Sequence, residues 1–219
     1  MKEYKGVVAD NEYTCFGYTL SIINGKWKLL IIFYLSRHGT VRYNELQRMI
    51  GKITYRTLST TLKEMESDDL IHREEYPQIP PKVEYSLNEK GKSLWPIIQR
   101  MCQWGEINKE NKIMIGDKND IYFVYTLSII NGKWKLLIIF YLSRHGTVRY
   151  NELQRMIGKI TYKTLSTTLK EMESDGLIHR EEYPQIPPKV EYSLTEKGKT
   201  LWPIVQEMCQ WGEKNKILN

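Results

Sequence analysis

KITYRTLSTTLKEMESDDLI, residues 52–71, returns almost letter for letter as KITYKTLSTTLKEMESDGLI, residues 159–178. Within this stretch Thr54 can cap a helix N-terminus. Leu58, Leu62 and Met65 follow at i, i+4 and i+7, which is the single apolar stripe of an amphipathic helix. Arg56, Ser59, Thr60 and Lys63 fall off that stripe. The spacing therefore predicts a helix that is anchored by its leucines and shows solvent a basic, hydroxyl-bearing face.

Working outward, the repetition is much longer than this one helix. Tyr18–Glu106 recurs as Tyr125–Glu213 at a constant offset of 107. Six of these 89 positions differ, namely Arg56/Lys163, Asp69/Gly176, Asn88/Thr195, Ser93/Thr200, Ile98/Val205 and Arg100/Glu207. Two units that similar must share one fold, and each is long enough for its own core. The reading is a first domain over residues 1–106, a polar linker over 107–121 and a second domain over 122–219. Even fully extended, the linker spans only about 50 Å at ~3.3–3.6 Å per residue, so the units are neighbours.

Along one unit, Tyr18–Ile23 is a short apolar stretch closed by the turn signal Asn24-Gly25. KWKLLIIFYLSRHG reads as a mostly buried helix stopped by Gly39. TVRYNELQRMIG gives a short extended piece and a helix with Leu46, Met49 and Ile50 on one face. After the informative helix come two strands, Leu70–Tyr76 and Lys82–Leu87. They are joined by Pro77-Gln78-Ile79-Pro80-Pro81, a hairpin with a stiff tip. Asn88, or Thr195 in the second copy, can cap a last helix running through Trp95 and Trp104, with Pro96 in its first two turns or at a kink. Helix-turn-helix followed by a hairpin is the order of a winged helix. In that arrangement the exposed second helix enters the DNA major groove and the hairpin reaches the backbone or the adjacent groove.

The formal charge of +6 is unevenly placed. Residues 40–63 hold Arg42, Arg48, Lys52, Arg56 and Lys63 against Glu45, and the second copy repeats the pattern with Arg149, Arg155, Lys159, Lys163 and Lys170 against Glu152. The basicity is thus concentrated on the expected DNA face, where phosphate neutralisation makes affinity salt-dependent. Three cysteines, Cys15, Cys102 and Cys209, are too few and too odd in number for a disulfide scaffold. The four histidines form no cluster at ligand spacing, so no metal is expected. No P-loop, G-x-S-x-G, H-E-x-x-H or paired-carboxylate motif occurs, so no reaction and no cofactor are indicated. No apolar run could span a membrane and the first residues lack a signal-peptide core, which places the chain in the cytoplasm as an expectation.

NGKWKLLIIFYL, RYNELQRMIGKITYRTLSTTLKEMESDDLI and the wing string YPQIPPKVEYSL resemble the HxlR-type winged helix-turn-helix regulators of the broader MarR-like group. The resemblance covers essentially all of each repeat. It implies a mainly α fold with small β-wings, two such domains in tandem forming a pseudo-twofold dimer, and regulation of transcription through double-stranded DNA. It also implies dimer contacts made by the terminal helices. The family's Cys-Pro near the first helix is replaced here by Cys15-Phe16, which puts thiol sensing by this chain in doubt.

On this reading the DNA contacts from the recognition helices are Thr54, Tyr55, Arg56, Ser59, Thr60 and Lys63, with Thr161, Tyr162, Lys163, Ser166, Thr167 and Lys170 in the second copy. Backbone and wing contacts are Arg42, Lys52, Gln78 and Lys82, with Arg149, Lys159, Gln185 and Lys189. Arg56 could grip a guanine edge or only a phosphate. The last helix is apolar over too wide an arc for one partner, so Trp95, Ile98 and Cys102 are expected to meet Trp202, Val205 and Cys209 across the pair, bringing the two cysteines toward a pseudo-twofold axis. A small-molecule effector near Trp27 and Tyr34 or a redox signal is possible in such a regulator, and two tandem chains could associate further. The alternative is a winged-helix module that binds protein, whose recognition face would be acidic or apolar.

Overall fold

The computed structural model describes residues 11–79, 82–109, 117–132, 134–186 and 189–216. The first copy runs α1 (Asn11–Ile23), α2 (Lys26–His38), β1 (Val41–Arg42), α3 (Tyr43–Ile50), α4 (Tyr55–Ser67), β2 (Ile71–Tyr76), β3 (Lys82–Leu87), α5 (Glu89–Lys92) and α6 (Trp95–Asn108). The second repeats it as α7 (Lys118–Ile130), α8 (Lys135–His145), β4 (Val148–Arg149), α9 (Tyr150–Ile157), α10 (Tyr162–Ser174), β5 (Ile178–Tyr183), β6 (Lys189–Leu194), α11 (Glu196–Lys199) and α12 (Trp202–Asn215). No single helix among the described residues is long and apolar enough to cross a membrane.

Helix α2 explains the architecture. Leu29 to Phe33 are all buried, so it is apolar on every side and needs partners all round. Its own repeat supplies α3, α4, α6 and β3. The remaining side is closed by the other repeat: Phe33 stacks on Phe123 of α7 with centroids 4.4 Å apart, and in the mirror arrangement Phe140 of α8 stacks on Phe16 of α1 at 4.7 Å. Lys28 of this helix is buried and pairs with Asp68 at 2.7 Å, which ties α2 to the end of α4. Lys135 does the same with Asp175 at 3.0 Å.

The first helix of each copy therefore docks on the last helix of the other. α1 lies along α12 and α7 lies along α6. Gly105 and Gly212 allow this: a Cβ on Gly105 would sit 2.2 Å from the Tyr122 carbonyl oxygen, and one on Gly212 would sit 2.1 Å from that of Cys15. Beside each glycine a buried threonine spans the helix pair, Thr126 donating to the Met101 carbonyl and Thr19 to that of Met208, both at 2.6 Å. α6 and α12 also touch each other. The two repeats are related by a pseudo-twofold, with their N-terminal helices exchanged.

Several sequence expectations change in detail. The apolar stretch from Tyr18 is the end of the longer helix α1, because its burial depends on a repeat that lies distant in sequence. The last helix is split. Asn88 caps only the short α5, its side chain accepting from the Gly91 amide at 2.9 Å, and Pro96 opens a new helix α6 at its first positions. The hairpin gains a third strand: β1 pairs with the far edge of β3, giving the antiparallel order β1-β3-β2 and, in the second copy, β4-β6-β5. The ends of the expected linker are helical, since α6 runs to Asn108 and Asp117 caps α7 through the Asn119 amide at 2.9 Å. Its middle, residues 110–116, and the tip prolines Pro80 and Pro81 lie outside the described residues.

Candidate nucleic-acid interface

α4 begins where the sequence places it. Thr54 is extended (φ −74°, ψ 153°) and its side chain accepts from the Thr57 amide; Thr161 repeats this for α10 with Thr164. Leu58, Thr61, Leu62 and Met65 are buried, so the helix is anchored by the stripe the spacing defines. Its opposite face carries exposed Tyr55, Arg56, Thr60 and Lys63, and α10 carries Tyr162, Lys163, Thr167 and Lys170. Among the described residues Arg56, Lys63, Lys163 and Lys170 make no ion pair or side-chain hydrogen bond with protein. They offer their charges outward. Lys52 and Lys159 are exposed in the turn that precedes the recognition helix.

Ser59 and Ser166 stand apart from the other recognition-helix residues. Ser59 is half-buried and shares a hydrogen bond with the Tyr43 hydroxyl at 3.1 Å, while the same hydroxyl lies 2.9 Å from the Tyr55 carbonyl oxygen. Tyr150 holds Ser166 and Tyr162 in the same way. These serines brace the recognition helix against α3 and α9, a role that spacing within one helix does not reveal.

Between the recognition helix and the hairpin runs an open groove of 1200 Å3 in the first copy and 1310 Å3 in the second. Arg42, Lys63, Gln78 and Lys82 line the first groove; Arg149, Lys163, Lys170, Gln185 and Lys189 line the second. The wing lysines are held inward. Lys82 lies over the Tyr76 ring at 4.1 Å and pairs with Glu84 at 2.8 Å, and Arg42 approaches the same carboxylate at 3.6 Å. The hydrogen bond from Lys82, with others from Tyr76 and Arg42, holds the Glu84 carboxyl below its usual range. Lys189, Tyr183, Glu191 and Arg149 repeat the cluster. One acid at each wing root thus offsets part of the charge that composition assigns to the groove. Arg48 and Arg155, counted in the basic windows, line the same grooves, as do Arg73 and Arg180, which the sequence reading did not single out. Arg73 lies on the same face of β2 as buried Ile71, so the two-residue alternation of a strand does not mark it as outward.

The expected inter-repeat stripe also moves. Trp95 lines a cleft with Leu35 and Ser36 of its own repeat, and Trp202 packs on Phe140 of its own repeat with centroids 6.5 Å apart. Ile98 and Val205 are fully buried. Cys102 and Cys209 do not meet at the axis. Cys102 lies against α7, its sulfur 4.0 Å from the Asn119 carbonyl oxygen, while Cys209 is buried on the helix that packs against α1. Burial pushes the Cys102 thiol up to about 11 and the Cys209 thiol up to about 12. The contacts that join the copies are instead Trp104 donating to Thr200 Oγ1 at 2.8 Å, Trp211 donating to Ser93 Oγ at 2.7 Å, and Arg100 facing Glu207. The exchange also brings Arg37 of α2 to Asp120 of α7 at 2.7 Å. Among the described residues no group of three or more His, Cys, Asp or Glu side chains is placed to hold a metal ion.

Known proteins resemble this chain in sequence one repeat at a time. The HTH-type transcriptional regulator BH0655 of Halalkalibacterium halodurans is 55% identical over 111 residues, which are 98% of its length and 51% of this chain. YybR of Bacillus subtilis, also an HTH-type transcriptional regulator, is 49% identical over 107 residues, 85% of its length and 49% of this chain. Among solved structures, the oxidized form of the redox regulator HypR is 48% identical with a TM-score of 0.41, covering 97% of that chain and 43% of this one. The model of the HxlR-like helix-turn-helix family matches twice, over residues 22–113 and 129–218. The chain belongs to the HxlR-like helix-turn-helix family, and carries the family's domain two times in tandem.

Proposed function

We propose that the chain is a transcriptional regulator that binds double-stranded DNA as a single-chain pseudo-dimer, its two recognition helices reading one roughly palindromic operator. The observation that carries this reading is the pair of exposed basic helix faces, Tyr55–Lys63 and Tyr162–Lys170, each flanked by a wing and related by the pseudo-twofold. Recognition helices of such pairs enter successive major grooves about 34–36 Å apart, or a multiple of this. The faces are neither acidic nor apolar, which disfavours the protein-binding alternative. In this reading Arg42, Lys52 and Lys63 with their counterparts serve the phosphates, joined by Arg48 and Arg155, and Arg56 and Lys163 reach either a base edge or a phosphate. The high thiol pKa values of Cys102 and Cys209 oppose a redox role for either, because the thiolate is the reactive form.

A nuclease-protection footprint on the DNA flanking the protein's own gene tests the proposal. One protected pseudo-palindrome is expected, with log affinity falling against log salt by roughly 0.9 per neutralised phosphate. Diffuse binding with no protected site, or an affinity indifferent to salt, contradicts it.

A further inference from the structure

Positions 100 and 207 are the same place in the two copies, and they meet: Arg100 Nε lies 3.5 Å from Glu207 Oε1. A position that touches its own counterpart lies beside the pseudo-twofold axis, where an isologous contact sets each residue against itself. Two first repeats would place Arg100 against Arg100, and two second repeats would place Glu207 against Glu207. Only a first repeat paired with a second makes an ion pair. This is also the only charge reversal among the six differences between the copies.

The other differences show where the copies have diverged. Ser93 and Thr200 receive the hydrogen bonds of Trp211 and Trp104 from the opposite repeat. Ile98 and Val205 are fully buried on α6 and α12, the helices that touch across the axis. Asp69/Gly176 and Asn88/Thr195 form one local contact, since Asn88 donates to the Asp69 carbonyl at 2.7 Å and Thr195 to that of Gly176 at 2.6 Å. Two of the six differences, Ser93/Thr200 and Arg100/Glu207, therefore sit in contacts between the repeats, and one, Arg56/Lys163, sits on the exposed face of α4 and α10.

We infer that the Arg100/Glu207 reversal is a pairing code, which makes each repeat complementary to the unlike repeat and repellent to its own kind. The partner of the α6 face is the second repeat, and a first repeat of another copy is refused. The side chains are 49% and 26% exposed, so their attraction contributes little; the like-charge clash does the selecting. Among the described residues the other side chain bonded to Arg100 is neutral Gln103, at 3.4 Å. In consequence pairing is biased toward assemblies that present one α4 and one α10 over those that present two of the same helix. This inference stands independently of what those helices bind.

The intact chain can reproduce each forbidden pairing. Glu207→Arg sets arginine against arginine as two first repeats would, and Arg100→Glu sets glutamate against glutamate as two second repeats would. These are compared in urea unfolding with the exchange Arg100→Glu/Glu207→Arg and with the neutral Arg100→Gln/Glu207→Gln. At low salt each like-charged chain is expected to have a folding equilibrium constant about three- to tenfold below the neutral chain. The gap closes at high salt, and the exchanged chain recovers wild-type stability. Like-charged chains as stable as the neutral one, or an exchanged chain no better than the like-charged ones, overturn the inference.

Discussion

Replacing Gly212 with alanine should weaken the protein, although the same change in an exposed helix would strengthen it by about 1 kcal/mol. The added Cβ would lie 2.1 Å from the Cys15 carbonyl oxygen and 2.6 Å from Thr19 Oγ1. Ordinary contact begins at 3.4 Å, so α1 must retreat from α12 by about 1.3 Å. Neither neighbour can absorb this by a rotamer change, because one is backbone and the other is fixed by its bond to the Met208 carbonyl at 2.6 Å. Overpacking of this kind costs about 1–3 kcal/mol, and weakening that buried bond adds about 1 kcal/mol. Set against the helix-propensity gain, the net loss is about 2 kcal/mol. For a chain of this size that lowers Tm by roughly 4–8 °C. Gly105→Ala should cost the same at the α6–α7 crossing, and the two losses should add, because the sites share no side chain. Thermal unfolding followed by circular dichroism reads all three variants. An unchanged or raised Tm for Gly212→Ala would refute the exchanged-helix packing derived above.

Three further outcomes are expected. Arg56 can grip guanine O6 and N7 with its planar fork, worth ~1–3 kcal/mol, and Lys163 makes the less planar contact; sites selected from random DNA should therefore have unlike halves, and Lys163→Arg should make them alike. A symmetric wild-type consensus would contradict that. Asp69, at φ 57°, is the only non-glycine residue with positive φ among those described, and its carbonyl and carboxylate both accept from Asn88. Gly176→Asp, facing Thr195, should lose about 1 kcal/mol in urea unfolding, and adding Thr195→Asn should recover part of it; a loss that the second change leaves untouched would show that Asn88 does not support the strained residue. Finally, burial pushes the Cys209 thiol up to about 12, so its neutral form persists through pH 8 and the folded protein holds about three orders of magnitude less thiolate there than a free cysteine. Alkylation at pH 8 should be slow until urea is added, and labelling of folded Cys209 at the free-thiol rate would rule this out.

Much of the site was legible from spacing. The stripe Leu58, Leu62 and Met65 fixed which face of α4 is buried, and so which residues face outward. The Thr54 cap and the strand–turn–strand of the wing were equally local. The bond between Ser59 and Tyr43 was not legible, because Tyr43 lies on another helix and the periodicity of one helix says nothing about a neighbour's hydroxyl. Lys82 was expected to reach outward; Glu84, two residues along the same strand and so on the same face, draws it back over Tyr76.

The amino-acid sequence by itself determined the duplicated winged-helix fold, the recognition faces and the family. The fold and the faces rest on short-range periodicity and on comparison of the chain with itself, and the family rests on likeness to known proteins. Only the tertiary structure decided how the copies join. That α1 serves the second repeat and α7 the first follows from glycine crossings at 105 and 212 and from rings 107 residues apart meeting partners in the other copy, and these contacts leave no periodic trace. Arg100/Glu207 illustrates the division: in the sequence it is one substitution among six, and it acquires its meaning when folding sets the two positions face to face.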